Sequence, residues 1–305
     1  MTGDEMQAFE IALGARARAV EELLARLLDA RPLAGEIERP ARLMAAMRHG
    51  VLNGGKRLRP FLVLEGAALF SADGEAALRV AAALECVHCY SLIHDDLPAM
   101  DDDDLRRGQP TVHKAFDEAT AVLAGDALHV FAFEVLSDPA TCGDPFTRVE
   151  LVATLATAAG YQGMAGGQMM DMVAETTDFD LPTVTRLQQL KTGALLGAAV
   201  EMGAILGRVP PEGRTHLRGY ARDIGLAFQI VDDLLDHEGD EAAAGKALRK
   251  DAEAGKQTFV SLLGSDRARA QAQMLVDQAV AQLASHGEEA DLLRALARYI
   301  VERDH

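Results

Sequence analysis

The chain has 305 residues, 49% hydrophobic and 25% charged, enough to fill one large core or two ordinary ones. Its formal net charge of −17 excludes a nucleic-acid partner, which requires a basic face, but not a small polyanion held in a local basic pocket. Three cysteines are too few for a disulfide framework and fit a reducing compartment.

The first residues, Met1-Thr2-Gly3-Asp4-Glu5, carry no basic flank before an apolar run, so no signal peptide is expected. Apolar residues then recur at three- and four-residue spacing, as in Val20, Leu23, Leu24, Leu27 and Leu28, the stripe of an amphipathic helix. The same spacing predicts helices over about 5–28, 41–52, 59–70, 74–97, 117–136, 146–172, 180–206, 211–237, 257–285 and 288–303. Turn chemistry separates them at Pro32 to Pro40, Asn53-Gly54-Gly55, Ala72-Asp73-Gly74, Ser137-Asp138-Pro139, Pro210-Pro211 and Gly239 to Gly255. A Gly-Met-Ala-Gly-Gly stretch from Gly163 is expected to kink its helix. No period-two strand is evident, which predicts one all-α domain over 1–305.

Asp126, His129 and Glu134 interrupt the apolar run 121–136, and Glu201 interrupts 193–207. No membrane span is expected, and the location is read as cytoplasmic. Cys86-x-x-Cys89 has no second CxxC and reads as two small hydrophobes on a buried helix. Two longer loops, 101–116 and 237–256, each follow an acidic cluster and suit a lid or a phosphate clamp.

Those clusters are Asp95-Asp96-Leu97-Pro98-Ala99-Met100-Asp101-Asp102-Asp103-Asp104 and Asp232-Asp233-Leu234-Leu235-Asp236. Both are embedded in apolar, helix-forming sequence. Two carboxylates ~5 Å apart repel by about 3 kcal/mol at an effective dielectric of about 20, so several in one cleft call for a cation. An oxygen-only donor set suits Mg²⁺ or Ca²⁺, and Mg²⁺ typically takes one or two carboxylates plus substrate phosphates. On an unbroken helix Asp95 and Asp101 lie about 240° apart. A kink at Pro98 allows Asp101 to swing back beside Asp95. Asp232 and Asp236, at i and i+4, share one helix face.

Cations surround these clusters. Gly54-Gly55-Lys56-Arg57-Leu58-Arg59-Pro60 supplies three in a glycine turn at a helix start, where anions are favoured. Arg106-Arg107 adds two, Lys191-Thr192 lies in a helix, and Lys246, Lys250 and Lys256 follow the second cluster. His88, seven residues before Asp95, falls on the same helix face. It is either a core histidine or a phosphate hydrogen-bond donor.

The run from Tyr90 to Thr111 resembles the first aspartate-rich motif of trans-prenyl diphosphate synthases, most like the bacterial farnesyl diphosphate synthase type with two residues inserted. Gly54-Gly55-Lys56-Arg57-Leu58-Arg59-Pro60, Gly166-Gly167-Gln168 with Asp171, Lys191-Thr192-Gly193 and Gln229-Ile230-Val231-Asp232-Asp233-Leu234-Leu235-Asp236 match the other family blocks in order, over about 45–264. The resemblance implies an isoprenoid synthase helical bundle with a central cavity, a homodimer and three Mg²⁺ ions. It implies that Asp95 and Asp101 bind two ions and Asp232 the third, with Asp96, Asp233 and Asp236 in support. Arg106, Lys191, Thr192, Gln229, Lys246 and Lys256 would hold an allylic diphosphate, with Arg106, Lys191, Lys246 and Lys256 as its catalytic clamp. Lys56, Arg59, His88 and Arg107 would hold isopentenyl diphosphate. Two positions depart from the family pattern: Arg249 stands where glycine is common, and His237 where a small apolar residue is common.

The chemistry so implied is ionisation of the allylic diphosphate, attack by the isopentenyl double bond on the cation, and loss of a proton. In the resembled family the fifth and fourth residues before the first aspartate set product length. Here they are Tyr90 and Ser91, and an aromatic at the fifth position implies a C15 stop, hence farnesyl diphosphate. Alternatives are a geranyl or geranylgeranyl diphosphate synthase, a terpene cyclase, which would not need the Lys56, Arg59 and His88 set, and a non-catalytic partner subunit.

Overall fold

The computed structural model describes residues 1–32, 34–238 and 256–303. Fourteen α-helices run through the described residues, and the only sheet among them is a two-residue hairpin, Leu105–Arg106 with Gln109–Pro110. The helices are α1 (Gly3–Leu27), α2 (Ala41–Val51), α3 (Leu58–Ala68), α4 (Gly74–Asp95), α5 (Val112–Ala115), α6 (Glu118–Ser137) and α7 (Pro145–Ala159). They continue as α8 (Met164–Ala174), α9 (Leu181–Gln188), α10 (Ala194–Leu206), α11 (Thr215–Glu238), α12 (Phe259–Leu263), α13 (Ser265–Gln282) and α14 (Asp291–Glu302).

Side-chain caps fix several starts. Thr2 and Glu5 form a reciprocal capping box on α1, and Asp73, Asp117, Asp144 and Asp180 each accept a backbone N–H at the starts of α4, α6, α7 and α9. Three predicted helices are interrupted. The stretch 146–172 breaks completely at residues 160–163, where glycines weaken helix, rather than kinking. The stretch 257–285 divides at the Gly264 turn. The stretch 180–206 holds a π-helical turn, Gln189–Gly193, between α9 and α10.

Helix α4 is the core helix. Val80 to Val87 are all buried, and α4 packs against α6, α3 and α10. Helix α10 also packs on α11, so the two aspartate-bearing helices flank a common neighbour. Cys86 and Cys89 are wholly buried on α4, and burial holds both thiols protonated, Cys89 pushed up to about 12. They fill space as small hydrophobes.

No uninterrupted apolar run spans a bilayer, yet α4 and α6 are each long and apolar enough to cross one by length and mean hydropathy. Helix α4 spends that hydrophobicity in the core. Helix α6 leaves Val122, Leu123 and Val130 exposed, and α7 adds exposed Phe146 and Val149.

Candidate active site

The first acidic wall is made by the end of α4. Pro98 stops the helix, and the chain folds back so that the Asp101 N–H donates to the Asp95 carbonyl at 2.8 Å. Asp102 N–H and Asp103 N–H return to the carbonyls of Leu97 and Asp96 at 3.2 Å each, closing a compact acidic turn. Asp102 takes φ +48 in that turn, a conformation that Asp tolerates better than most residues. Burial pushes the Asp95 carboxyl up to about 6; Lys191 opposes that shift and Asp101 adds to it. Asp96 is turned inward, 2% exposed, and its Oδ1 accepts from Arg106 Nε at 2.7 Å and pairs with Arg106 Nη2 at 2.6 Å. Arg106 is thereby fixed beside the wall.

The glycine turn sorts its three cations. Arg57 begins α3 at φ +50 and points into the core, where its guanidinium meets Glu85 at 2.6 Å and the Val51 carbonyl at 2.6 Å. Arg59, two residues on, faces away from that pair; its Nη1 lies 3.3 Å from His88 Nε2. Burial, then Arg59 and Arg107, hold His88 well below the ordinary imidazole range, so it is neutral and its Nε2 can accept from Arg59. Lys56 sits 5.6 Å over the Tyr299 ring. Arg107, at φ +54, donates to Asn53 Oδ1 at 3.0 Å and to the Gly54 carbonyl. Gly55, at φ +115, permits this contact, because a Cβ there would lie 2.5 Å from the Arg107 guanidinium carbon. Lys56, Arg59, His88 and Arg107 thus belong to one neighbourhood, and Arg57 is structural.

The π turn positions Lys191 and Thr192, as π-bulges at functional sites often do. Gly167 on α8 lets it approach; a Cβ at Gly167 would fall 2.2 Å from the Lys191 backbone nitrogen. Lys191 Nζ then reaches Asp171 Oδ2 at 2.7 Å, and Lys256 Nζ meets the same oxygen at 3.0 Å. Burial works to raise the Asp171 carboxyl, but the two ammonium groups override it and hold it below its ordinary value. Asp171, to which the sequence analysis assigned no role, gathers both lysines. Its place three positions after Gln168 in a family block was the available signal.

The second wall lies on α11. Thr192 Oγ1 donates to Gln229 Oε1 at 3.3 Å, and Gln229 Nε2 donates to Asp233 Oδ1 at 3.1 Å. Asp233 Oδ2 accepts the Phe259 N–H of α12 at 2.9 Å. Asp233 is 5% exposed with both oxygens engaged by protein donors, which fits support of the wall rather than direct metal contact. Asp232 and Asp236 stay partly exposed on one face of α11. Asp232 is among the charges acting on Arg59, which ties α11 to the start of α3. Lys246 lies outside the described residues.

Tyr90 and Ser91 lie on α4 below Asp95. The Tyr90 ring stacks on His129 of α6, centroids 4.5 Å apart, and His129 meets Phe133 edge-on at 5.5 Å. Burial and then Asp95 raise the Tyr90 hydroxyl, so the ring lies within reach of that carboxylate. Ser91 Oγ bonds the His88 carbonyl of its own helix at 2.8 Å.

Asp95, Asp101, Asp232 and Asp236 offer oxygen donors only, a set that fits a hard divalent cation such as Mg²⁺. The raised Asp95 carboxyl is one whose ionised form such a cation stabilises. Among the described residues, no three His, Cys, Asp or Glu side chains converge to hold an ion unaided. A cleft of ≈690 Å³ beside α2, lined by Met44, Arg48, His49, Arg107 and Phe116, contains none of these aspartates. Charge, not volume, locates the site.

The polyprenyl synthetase family model matches residues 40–298. Farnesyl diphosphate synthase of Escherichia coli (strain K12) is 46% identical over 271 residues, covering 86% of this chain and 89% of the relative. The crystal structure of an FPP/GFPP synthase from Zymomonas mobilis is 53% identical with a TM-score of 0.86, covering 97% of this chain and 99% of that one. A geranyltransferase from Helicobacter pylori, complexed with magnesium and isoprenyl diphosphate, is 34% identical with a TM-score of 0.79, covering 99% and 98%.

Proposed function

The chain belongs to the polyprenyl synthetase family as a trans-prenyl diphosphate synthase of the bacterial farnesyl diphosphate synthase type, and from that premise we propose that it joins isopentenyl diphosphate to dimethylallyl or geranyl diphosphate, giving farnesyl diphosphate. The observation that carries this reading is a pair of ammonium groups, Lys191 and Lys256, gathered on the Asp171 carboxylate, with Lys191 within electrostatic reach of Asp95. It is a preformed anion clamp facing an acidic wall.

In this reading Asp95 and Asp101 on one wall and Asp232 on the other would hold three Mg²⁺ ions, with Asp96, Asp233 and Asp236 in support. Bound there, Mg²⁺ supplies Lewis-acid stabilisation of the departing diphosphate. Arg106, Lys191, Thr192, Gln229, Lys246 and Lys256 grip the same group and neutralise the charge that develops as the C1–O bond breaks. Lys56, Arg59, His88 and Arg107 orient isopentenyl diphosphate so that its double bond meets C1 of the cation. Asp96 pre-aims Arg106, and Asp171 keeps Lys191 and Lys256 together until the diphosphate takes its place. Exclusion of water protects the carbocation. This reading includes a cytoplasmic location. The exposed apolar faces of α6 and α7 support a homodimer.

Product length is read from Tyr90. Its ring stacks on His129, which in turn meets Phe133, and in this reading the three rings close the space below Asp95. The Zymomonas mobilis relative is an FPP/GFPP synthase, which favours a longer product as the second reading. Incubation with Mg²⁺, isopentenyl diphosphate and either dimethylallyl or geranyl diphosphate should yield a C15 product by chromatography. Tyr90→Ala should shift the main product to C20 or longer, since five residues of helix span about 7.5 Å, roughly one isoprene unit. An unchanged C15 product from the variant removes Tyr90 as the stop; no product from any combination overturns the enzymatic reading.

A further inference from the structure

The two arginines at the hairpin are anchored in different ways. Arg106 spends Nε and Nη2 on the buried Asp96 carboxylate. Arg107 is held through Nη1 alone, by Asn53 Oδ1 at 3.0 Å and by the Gly54 carbonyl. Its Nε and Nη2 have no hydrogen-bond partner among the described residues. Both of its acceptors are neutral. A carboxylate partner offsets a guanidinium's charge, whereas an amide or carbonyl oxygen leaves it whole. Asn53 lies in the turn after α2, and Arg57 fixes that turn from the core side through the Val51 carbonyl at 2.6 Å. The hairpin is held independently, by His49 Nε2 of α2 at 2.7 Å from the Pro110 carbonyl. Asn53 therefore governs the Arg107 side chain rather than the path of its backbone. The Arg107 charge acts on both Arg59 and His88, so the guanidinium belongs to their neighbourhood.

We propose that Asn53 is a positioning residue that holds Arg107 by one edge on a neutral oxygen, so that the Nε–Nη2 edge meets isopentenyl diphosphate with its charge undiminished; this rests on the reading of Arg107 as a ligand of that substrate. An arginine edge with two N–H groups side by side suits the paired oxygens of a phosphate. Repulsion from Arg59 would push an untethered guanidinium outward, and the Asn53 contact opposes it. Fixing the long side chain before binding also removes an ordering cost that the substrate would otherwise meet.

Steady-state kinetics with isopentenyl diphosphate and geranyl diphosphate varied in turn test this. Asn53→Ala should raise the KM for isopentenyl diphosphate about three- to ten-fold, while kcat and the KM for geranyl diphosphate change by less than about two-fold. Asn53→Asp keeps an acceptor for Arg107 but makes it a carboxylate, and should raise the same KM further than Asn53→Ala does. In an Arg107→Gln background, Asn53→Ala should add no further rise, because the group it positions is gone. An unchanged KM in Asn53→Ala, an Asn53→Asp value equal to the parent's, or an equal rise with and without Arg107 overturns the positioning role. If Arg107→Gln alone leaves the KM for isopentenyl diphosphate at the parent's value, the assignment of Arg107 fails instead, which separates the two readings.

Discussion

Asp95→Asn is expected to remove turnover by on the order of 10³-fold or more while making the empty protein more stable. Both effects have one cause. Asp95 ends α4, where the helix macrodipole already disfavours negative charge, and it is partly buried beside Asp101 and Asp96. Lys191 offsets only part of this, and the carboxyl is pushed up to about 6 from 3.8. A raised acid favours the folded state while protonated. Its contribution is present below 3.8 and lost as pH rises through about 6. Asn keeps the shape without the charge. At pH 7.5 the variant should gain on the order of 1–2 kcal/mol after allowance for solvent screening, and at pH 4 the gain should nearly vanish. Thermal unfolding at the two pH values and steady-state product formation check this. A variant that unfolds earlier at pH 7.5, or one that turns over at the parent's rate, contradicts it.

The largest stability effect is expected at Arg57. Its side chain is wholly buried, its Nη1 meets the equally buried Glu85 at 2.6 Å, and Glu85 has one carboxylate oxygen without a partner among the described residues. Arg57→Met leaves an uncompensated buried carboxylate and should cost about 3–5 kcal/mol in urea unfolding. The double variant Arg57→Met/Glu85→Leu should recover most of that loss, because two apolar groups of similar size leave no charge stranded. Single and double variants that unfold at the same urea concentration contradict the coupling. The change also loosens the start of α3, so Arg59 should hold His88 less well and the Michaelis constant for isopentenyl diphosphate should rise.

Most helices and the turns between them were legible because apolar spacing marks the helices, and Pro, Gly, Asn and Asp mark breaks by backbone chemistry that needs no partner. The acidic walls were legible because clustered carboxylates in apolar sequence carry a high electrostatic cost. The π turn at Lys191 was not, since apolar periodicity runs through it and one extra residue per turn leaves no compositional trace. The direction of Arg57 was hidden for a similar reason. Lys56, Arg57 and Arg59 look alike as a string, and only the φ values of +84, +115 and +50 at Gly54, Gly55 and Arg57 decide which one enters the core. The contact of Asp171 with Lys191 spans 20 residues, beyond any local pattern.

In the proposed reading, opposed carboxylates at the end of α4 and on α11 grip one diphosphate through divalent cations. Anomalous diffraction from crystals soaked with Mn²⁺ and inorganic pyrophosphate measures this directly. Peaks should appear beside Asp95 and Asp101 and beside Asp232, bridged by a single pyrophosphate that contacts Arg106 and Lys191. Pyrophosphate bound at the cleft beside α2, or metal peaks away from both walls, is the contrary result.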